Sequence, residues 1–283
     1  MINYKNTILA LLLLIAFEAE AQQTRDTTKK NIADTLKKDL FTAPDTVRHL
    51  HSKLSSLIPP VVLIGYGVSS FYIRPLRRVD SYVYNEAIEH DIVSRTPLEN
   101  YFQYTPMALV YGLNLVGVHG KNTFVDRTLI YVMAQGMLQI SLNTVKRTTH
   151  RLRPDGSDRL SFPSGHTGNA FSGAEFMAQE LNGNSIAYGI IGYAFATTTG
   201  VMRIYHQDHW LSDVVAGAGF GILSTKAAYL LYPYIRNRIF KGGREKEGQE
   251  NMPPELKRKP MKSSILLPSY QDGALGVQFA MEL

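Results

Sequence analysis

The sequence contains no cysteine, so disulfide bonds cannot be part of its stabilisation in any compartment. It has no internal repeat, no basic stretch interleaved with aromatic residues, and no motif that reads a nucleic-acid groove. The mean hydropathy of −0.11 is low for a chain with six lipid-exposed spans, although small residues are also common where membrane helices pack. These absences make nucleic acid a poor candidate partner and leave the relation to a membrane open.

The composition is that of a folded protein with a surplus of positive charge. The 283 residues allow one large domain or two small ones, and 45% of them are hydrophobic. Lys and Arg number 30 against 24 Asp and Glu, which gives a formal net charge of +6. This surplus fits either a solvated surface or attraction to anions, such as phosphate groups or an acidic membrane surface.

The N-terminus has the pattern of a secretory signal peptide over residues 1–21. A lysine at position 5 precedes an apolar core from Ile8 to Phe17, and Ala19-Glu20-Ala21 has the form of a cleavage site. The apolar core is short for a bilayer span, which needs about 20 residues. We therefore expect cleavage near Ala21 and a mature chain that is periplasmic or membrane-associated, with its site outside the cytoplasm.

Apolar blocks separated by polar or Gly/Pro-containing stretches dominate the middle of the chain. Each block is long enough for a helix and too long for a typical strand, and Asn182-Gly183-Asn184 marks a turn between two of them. They predict an all-α fold, a bundle of six main helices within residues 57–235. The blocks are 57–73, 106–118, 129–145, 165–181, 186–202 and 214–234.

The rest of the chain differs in composition. Residues 22–56 form a polar lead-in segment, and residues 236–262 are rich in Lys, Arg, Glu and Pro, as is typical of an exposed linker. In residues 263–283, hydrophobic positions alternate after Asp272-Gly273, which predicts a C-terminal β-strand or hairpin. The stretch from Arg74 to Gln103 is interpreted as a loop that shapes the leaving-group side of any site at that end of the bundle.

A basic segment follows the third block. Lys146 and Arg153 are separated by six residues, and Pro154 comes directly after them. Lysine supplies a point charge and arginine a planar fork that matches two phosphate oxygens, while proline redirects the chain. Basic residues at a helix end also commonly complement the helix dipole, so this segment alone does not identify a site. Arg147, His150 and Arg151 lie in the same run and are interpreted as surface residues.

The tetrapeptide Pro163-Ser164-Gly165-His166 opens the fourth block. Gly165 permits a close backbone approach, and the first turn of a helix presents free N–H groups to an anion. The Ser164 hydroxyl can donate a hydrogen bond, and His166 can transfer protons near neutral pH. An ordinary helix entry with a serine cap has the same residues.

The third segment runs from Arg203 to Asp213. Asp213 lies four residues after His209, so on a helix the carboxylate can bond one imidazole nitrogen and leave the other free to attack. A partly buried His–Asp pair at a helix start is the structural alternative. His206 and His209 with Asp208 and Asp213 also allow a metal interpretation, but no H-E-x-x-H pattern or further ligand cluster accompanies them, so we expect neither metal nor cofactor.

Taken together, the three segments resemble the type 2 phosphatidic acid phosphatase (PAP2) family, which is related to bacterial non-specific acid phosphatases and vanadium haloperoxidases. The family signature is K-x6-RP, PSGH and SR-x5-H-x3-D, and its match here runs from Lys146 to Asp213. One position departs from it: Met202 stands where the signature has serine. One hydrogen bond to phosphate is then missing, unless a neighbouring residue supplies it.

The resemblance implies a helical bundle and a phosphohistidine mechanism. By this resemblance His209 attacks phosphorus, Asp213 orients His209, and His166 protonates the leaving oxygen and later activates water. The implied phosphate-binding residues are Lys146, Arg153, Ser164, Gly165 and Arg203. No metal or other cofactor is implied.

The expected function is hydrolysis of phosphate monoesters or pyrophosphates outside the cytoplasm. The substrate is a phosphorylated lipid or a soluble small molecule, with a membrane surface as the expected partner. A non-specific acid phosphatase, a vanadate-dependent haloperoxidase and a non-catalytic envelope protein remain as alternatives. After cleavage at Ala21, six full spans would place the site on the cytoplasmic side. Three explanations are open: the blocks are core helices of a soluble or surface-bound periplasmic enzyme, one block does not span, or the N-terminal segment behaves unusually.

Overall fold

The computed structural model describes residues 54–89, 97–250, 264–271 and 274–281, and these contain eight α-helices. A short 3-10 turn at Leu54–Leu57 precedes the first helix. The helices are α1 (Ile58–Ser69), α2 (Arg74–Glu89), α3 (Glu99–Phe102), α4 (Thr105–Leu115), α5 (Phe124–Thr149), α6 (Gly165–Leu181), α7 (Ile186–Tyr205) and α8 (Leu211–Glu250).

Each of the six apolar blocks contributes a helix, and two further helices lie where the sequence suggested a loop. The stretch from Arg74 to Gln103 contains α2 and α3, so its interpretation as a loop was wrong. Charged and polar residues predominate in α2, and of its residues only Asp80 and Ala87 are buried, so the stretch lacks an apolar block. Its few apolar residues, among them Leu76, Val79 and Val83, do recur at helical spacing, and this signal was overlooked.

Side-chain caps fix the start of three helices that lead to the site. Thr123 Oγ1 accepts from the backbone N–H of Asp126 at 3.2 Å and donates to its carboxylate at 2.9 Å, before α5. Ser164 caps α6 and Ser185 caps α7 by accepting from the N–H groups of Thr167 and Ala187. Such caps satisfy N–H groups that have no partner within a helix.

The hydrophobic core lies among α4, α5, α6, α7 and α8. Phe176 of α6 is fully buried there, with its ring centroid 4.8 Å from that of Tyr131 and 6.5 Å from that of Tyr229. Polar groups inside the core are paired: Tyr229 donates to Glu180 at 2.5 Å, and Asn122 donates to the same carboxylate. Burial of charge in a core requires such partners.

Helices α6 and α8 approach closely enough that small residues are required between them. A Cβ built on Gly217 would lie 2.5 Å from the carbonyl oxygen of Ser164, and one on Gly221 would lie 2.3 Å from that of Gly168. The backbone N–H of Ser164 also donates to the carbonyl of Asp213 at 3.0 Å. The start of α6 is therefore held directly against the start of α8.

Among the described residues, one helix is long and apolar enough to cross a membrane by length and composition, Leu211–Arg236 within α8. The bent pair Ser55–Ser69 and Arg74–Glu89, with a 90° angle between its halves, also passes this test if it is counted as one span. Most of the α8 window is buried within the protein, as in the core helix of a soluble protein. Helix α8 continues to Glu250, into the stretch where the sequence suggests a linker.

The chain divides after Tyr234 into two compact units. In the second unit, strands β1 (Ser264–Gln271) and β2 (Ala274–Met281) pair antiparallel, with Ser264 opposite Met281. The expected signal peptide (residues 1–21), the lead-in up to residue 53 and residues 251–262 of the expected linker lie outside the described residues.

Candidate active site

The three sequence segments meet at one end of the helical unit. Lys146 lies in the last turn of α5, the Pro163-Ser164-Gly165-His166 segment leads into α6, and the third segment joins α7 to α8. Backbone hydrogen bonds link the connections: Asp155 N–H donates to the carbonyl of Gln207 at 3.2 Å, and Ser161 N–H to that of Arg151 at 3.0 Å. Residues that are distant in sequence are thus held in one place by the backbone itself.

His209 and Asp213 form the buried centre of the site. His209 is 3% exposed and Asp213 is fully buried, and His209 Nδ1 lies 3.8 Å from Asp213 Oδ2. This distance is longer than a hydrogen bond, and Nδ1 has no hydrogen-bond partner. Catalytic hydrogen bonds are often long without substrate and tighten when it binds. The Nε2 atom, on the opposite edge of the ring, is the atom left for attack.

Asp213 is held by other donors. Its carboxylate accepts from Arg151 Nη1 at 2.6 Å, from Ser161 Oγ at 2.5 Å and from the Trp210 backbone N–H at 3.0 Å. These three hydrogen bonds hold the carboxylate in place without any contribution from His209, so the position of Asp213 does not depend on His209.

The three predicted phosphate-binding cations surround this centre, and each has a partner. Lys146 Nζ donates to the carbonyl of Leu160 at 2.5 Å. Arg153 Nε donates to Asp158 at 2.8 Å, and Arg203 Nη1 lies 3.0 Å from Asp208 Oδ2. Carboxylates that hold an arginine fork in one geometry reduce the entropy lost when the fork binds an anion.

The segment that leads into α6 brings a serine hydroxyl, a glycine backbone and a histidine ring to the site, and they differ in how far they are already hydrogen-bonded. Ser164 is fully buried, and its hydroxyl is shared with Thr167 Oγ1 at 2.9 Å as part of the helix cap. A Cβ on Gly165 would meet no atom within 4 Å, so the space beside its backbone is open. His166 is half-buried and pairs with Asn100. The predicted contact of the Ser164 hydroxyl with phosphate therefore competes with its role as a cap.

Met202 is buried in α7 at the position where the family signature has serine. A thioether offers only a weak acceptor and no donor, so Met202 cannot replace a serine hydroxyl at a phosphate oxygen.

Sequence reasoning missed Arg151, which was interpreted as a surface residue. Its guanidinium donates to Asp213 Oδ1 at 2.6 Å, to Ser212 Oγ at 2.7 Å and to Asp80 Oδ2 at 2.7 Å. It also lies 5.1 Å from the ring centroid of Phe71. Asp80 in turn accepts from the backbone N–H of Ser212 at 2.9 Å. No local signal distinguishes Arg151 from Arg147, because its partners lie 62 and 71 residues away.

Two further site residues that no sequence motif identified lie on α3. The Glu99 carboxylate is 4% exposed, and its Oε1 lies 3.4 Å from Arg203 Nη1 and 3.1 Å from His206 Nδ1. The neighbouring Asn100 Oδ1 lies 2.7 Å from His166 Nε2. No motif in the sequence marks this four-residue helix.

Burial and neighbouring cations alter the acidity of the site. Burial, with Arg153 as the next cause, lowers the pKa of Lys146 to about 8. Burial and the charge of Arg203 lower the pKa of His166 to about 4. Burial also lowers the pKa of His209, despite the opposing effect of Asp213. Both histidines are therefore neutral at pH 7, which is the state that a nucleophilic imidazole requires.

Unpartnered buried atoms concentrate at this site. Among the described residues, four buried side-chain atoms have no hydrogen-bond partner: Glu99 Oε2, Arg203 Nε, His206 Nε2 and His209 Nδ1. Each costs about 1–3 kcal/mol if it stays unsatisfied. Their clustering in one place indicates polar groups arranged for a ligand rather than for the fold.

In the part of the chain that the structure describes, one group of side chains could hold a metal ion by its donor set. The ligand atoms of Glu99, His206 and Asp208 lie within 4.8 Å of one another. Arg203 Nη1 already lies within 3.4 Å of both carboxylates. A divalent cation would have to displace this guanidinium or endure its repulsion, so the residues fit a bound arginine better than a metal.

Comparison with known proteins finds one family model and one curated relative that match this chain. Residues 127–237 match the family model of the PAP2 superfamily. Lipid A 1-phosphatase of Porphyromonas gingivalis is 28% identical over 248 residues, which cover 84% of this chain and 52% of that protein. The chain thus spans about half the length of this curated relative.

Two solved structures are also similar. LpxE of Aquifex aeolicus is 21% identical, with a TM-score of 0.39 over 53% of this chain and 92% of that one. A transmembrane PAP2 type phosphatidylglycerolphosphate phosphatase from Bacillus subtilis is 24% identical, with a TM-score of 0.42 over 66% of this chain and 96% of that one.

Proposed function

Because residues 127–237 match the family model of the PAP2 superfamily, we propose that this chain is a phosphatase that hydrolyses phosphate monoesters or pyrophosphates of lipids through a phosphohistidine. The observation that carries the proposal is the buried His209–Asp213 pair, with unpartnered buried atoms on His209, Arg203, His206 and Glu99. The cations Lys146 and Arg153 lie close enough to His209 to help lower its pKa. Phosphoryl transfer depends mainly on such positioning and charge stabilisation.

In the first step, His209 Nε2 attacks phosphorus in line with the leaving oxygen. A phosphorus–nitrogen bond forms, the phosphorus–oxygen bond to the leaving group breaks, and His166 gives that oxygen its proton. Lys146, Arg153 and Arg203 neutralise the charge on the three equatorial oxygens. Asp213 stabilises the positive charge on the His209 ring once the 3.8 Å gap between them shortens.

In the second step, water hydrolyses the phosphohistidine. His166, now neutral, removes a proton from water, and the resulting oxygen–phosphorus bond replaces the phosphorus–nitrogen bond. Inorganic phosphate leaves, and both histidines return to their starting state. His166 is protonated for the first step although its pKa is about 4, because a bound phosphate dianion favours the imidazolium and offsets the nearby arginines.

A lipid substrate is supported by the relative and by the surface of the chain. The relative from Porphyromonas gingivalis is named for lipid A 1-phosphate hydrolysis. Exposed apolar side chains occur along α1, where Ile58, Val61 and Val62 are more than half exposed. Such a helix suits a lipid surface better than water. We place the enzyme outside the cytoplasm, periplasmic or membrane-associated, on the basis of the signal peptide pattern.

The test is a phosphate-release assay on the purified full chain. We expect wild type to release phosphate from lipid A 1-phosphate or phosphatidylglycerol phosphate in detergent. His209→Ala should remove this activity with the fold intact, whereas the exposed control His119→Ala should retain it. A folded His209→Ala protein with full activity would overturn the proposal.

Three further measurements distinguish the alternative functions and the kinds of membrane association. A higher kcat/KM for p-nitrophenyl phosphate than for any lipid would identify a soluble acid phosphatase. Oxidation of bromide by added hydrogen peroxide that appears with vanadate would identify a haloperoxidase, because vanadate inhibits a phosphatase. Retention in the membrane pellet after a carbonate wash would show integral association, and release would show a peripheral or soluble protein.

A further inference from the structure

Helix α3 connects the two sides of the candidate site. Its first two residues contact different functional groups: Glu99 lies against Arg203 and His206, and Asn100 lies against His166. Both contacts span more than 60 residues of sequence.

The contact between Asn100 and His166 fixes the tautomer of the histidine. Asn100 Oδ1 lies 2.7 Å from His166 Nε2, and an amide oxygen can only accept a hydrogen bond. Nε2 must therefore carry a proton in the neutral ring. The nitrogen that can gain or lose a proton during the reaction is then Nδ1.

Helix α3 is itself held in place by a chain of side-chain bonds. Gln103 Nε2 donates to the carbonyl of Asn100 at 3.2 Å, and its Oε1 accepts from Asn169 Nδ2 at 3.1 Å. Asn169 lies on α6 and accepts from Gln139 of α5 at 2.8 Å. Because α6 also carries His166, the acceptor and the histidine are fixed to the same helix.

We propose that Asn100 is a positioning residue for His166, and that it directs proton transfer to the leaving oxygen through Nδ1. This inference rests on the proposed phosphatase function. Asn100 holds the ring in the neutral state with Nε2–H donated, and it accepts a stronger, charge-assisted bond when the ring becomes an imidazolium. The Glu99 carboxylate on the same helix favours the imidazolium, while Arg203, Arg153 and His209 oppose it.

The leaving group provides the test of this role. An alkyl phosphate needs a proton on its departing oxygen, whereas p-nitrophenolate is stable enough to depart with little help. The ratio kcat/KM reports on all steps up to the first irreversible one, the transfer of the phosphoryl group to histidine. Any later role of His166 toward water therefore does not affect the comparison.

We would measure kcat/KM for an alkyl phosphate and for p-nitrophenyl phosphate in wild type, Asn100→Ala and the control Tyr101→Phe. Tyr101 neighbours Asn100 on α3 and its side chain is exposed. With Asn100→Ala we expect a loss of about 10- to 100-fold for the alkyl phosphate and under about threefold for p-nitrophenyl phosphate. Tyr101→Phe should change neither.

A second variant keeps the test decisive if Asn100→Ala does not fold. Asn100→Asp retains the acceptor and adds a negative charge beside the ring, which favours the imidazolium. We expect the alkaline limb of the pH profile of kcat/KM for the alkyl phosphate to move to higher pH.

Equal losses on both substrates, or an unchanged pH profile in Asn100→Asp, would overturn the positioning role and leave the phosphatase function intact. A folded wild type that hydrolyses neither these substrates nor a lipid phosphate would overturn the proposed function and this inference with it.

Discussion

Replacing Arg151 tests how the site is assembled, because its guanidinium donates hydrogen bonds to two buried carboxylates. Asp80 is 1% exposed and Asp213 is fully buried, and each accepts from Arg151 within 2.7 Å. Replacing Arg151 with methionine keeps much of the aliphatic volume and removes the charge and its donors.

The expected loss of stability follows from the hydrogen bonds that Asp80 and Asp213 keep without Arg151. Without Arg151, Asp80 keeps its two bonds from Ser212, and Asp213 keeps those from Ser161 and Trp210. Both charges nevertheless lose their only ion-pair partner among the contacts described for them, because the nearby His209 is neutral at pH 7. Breaking a buried ion pair in this way costs about 3–5 kcal/mol. At this chain length that corresponds to a fall in Tm of roughly 6–20 °C.

Thermal unfolding of the purified chain measures this effect, with Arg147→Met as the matched control. Arg147 lies four residues earlier in the same basic run and is exposed, so its replacement should change the free energy of unfolding by under about 0.5 kcal/mol. In the double variant with Asp80→Asn, the two losses should be less than additive because the residues are in contact. A loss for Arg151→Met no larger than that for Arg147→Met would refute the argument.

Two other predictions concern charge and close packing. Lys146 has a pKa of about 8 and binds phosphate as a cation, so the inhibition constant of inorganic phosphate should rise about tenfold from about pH 7 to about pH 9. Lys146→Arg should remove this rise, because arginine stays charged; an identical rise in the variant would exclude Lys146 as its cause. Gly217→Ala places a Cβ 2.5 Å from the carbonyl of Ser164 and should cost about 1–3 kcal/mol and at least about tenfold in kcat/KM. Gly136→Ala in α5, where a Cβ meets no atom within 4 Å, should be neutral or stabilising, and equal effects at the two glycines would contradict the packing argument.

The helices of the bundle were predictable where the sequence carries a local signal. Each apolar block became a helix, and Ser164 was recognised as a possible cap because serine before a helical run accepts from its first N–H groups. The four-residue spacing of His209 and Asp213 predicted a hydrogen bond between them on one helix. In the structure His209 lies before α8, which begins at Leu211, and its Nδ1 is 3.8 Å from Asp213 Oδ2.

The contacts that organise the site were not predictable, because they join residues far apart in the chain. Asp80 lies 71 residues from Arg151, and Glu99 lies 104 residues from Arg203. Neither carboxylate belongs to a motif, and both lie in the stretch that was interpreted as a loop. In the sequence Arg151 could not be distinguished from the exposed Arg147, because only the folded structure determines which arginine of the basic run points inward.

The central claim is that His209 carries the phosphoryl group during turnover. The most direct measurement is to quench the enzyme rapidly under alkaline conditions while it turns over a labelled phosphate ester, and to map the label by mass spectrometry. The account predicts an alkali-stable, acid-labile phosphohistidine at His209, present in wild type and in the control His119→Ala and missing in His209→Ala. Label on another residue, or turnover by wild type with no phosphoenzyme when its breakdown is slowed by cooling, would contradict it.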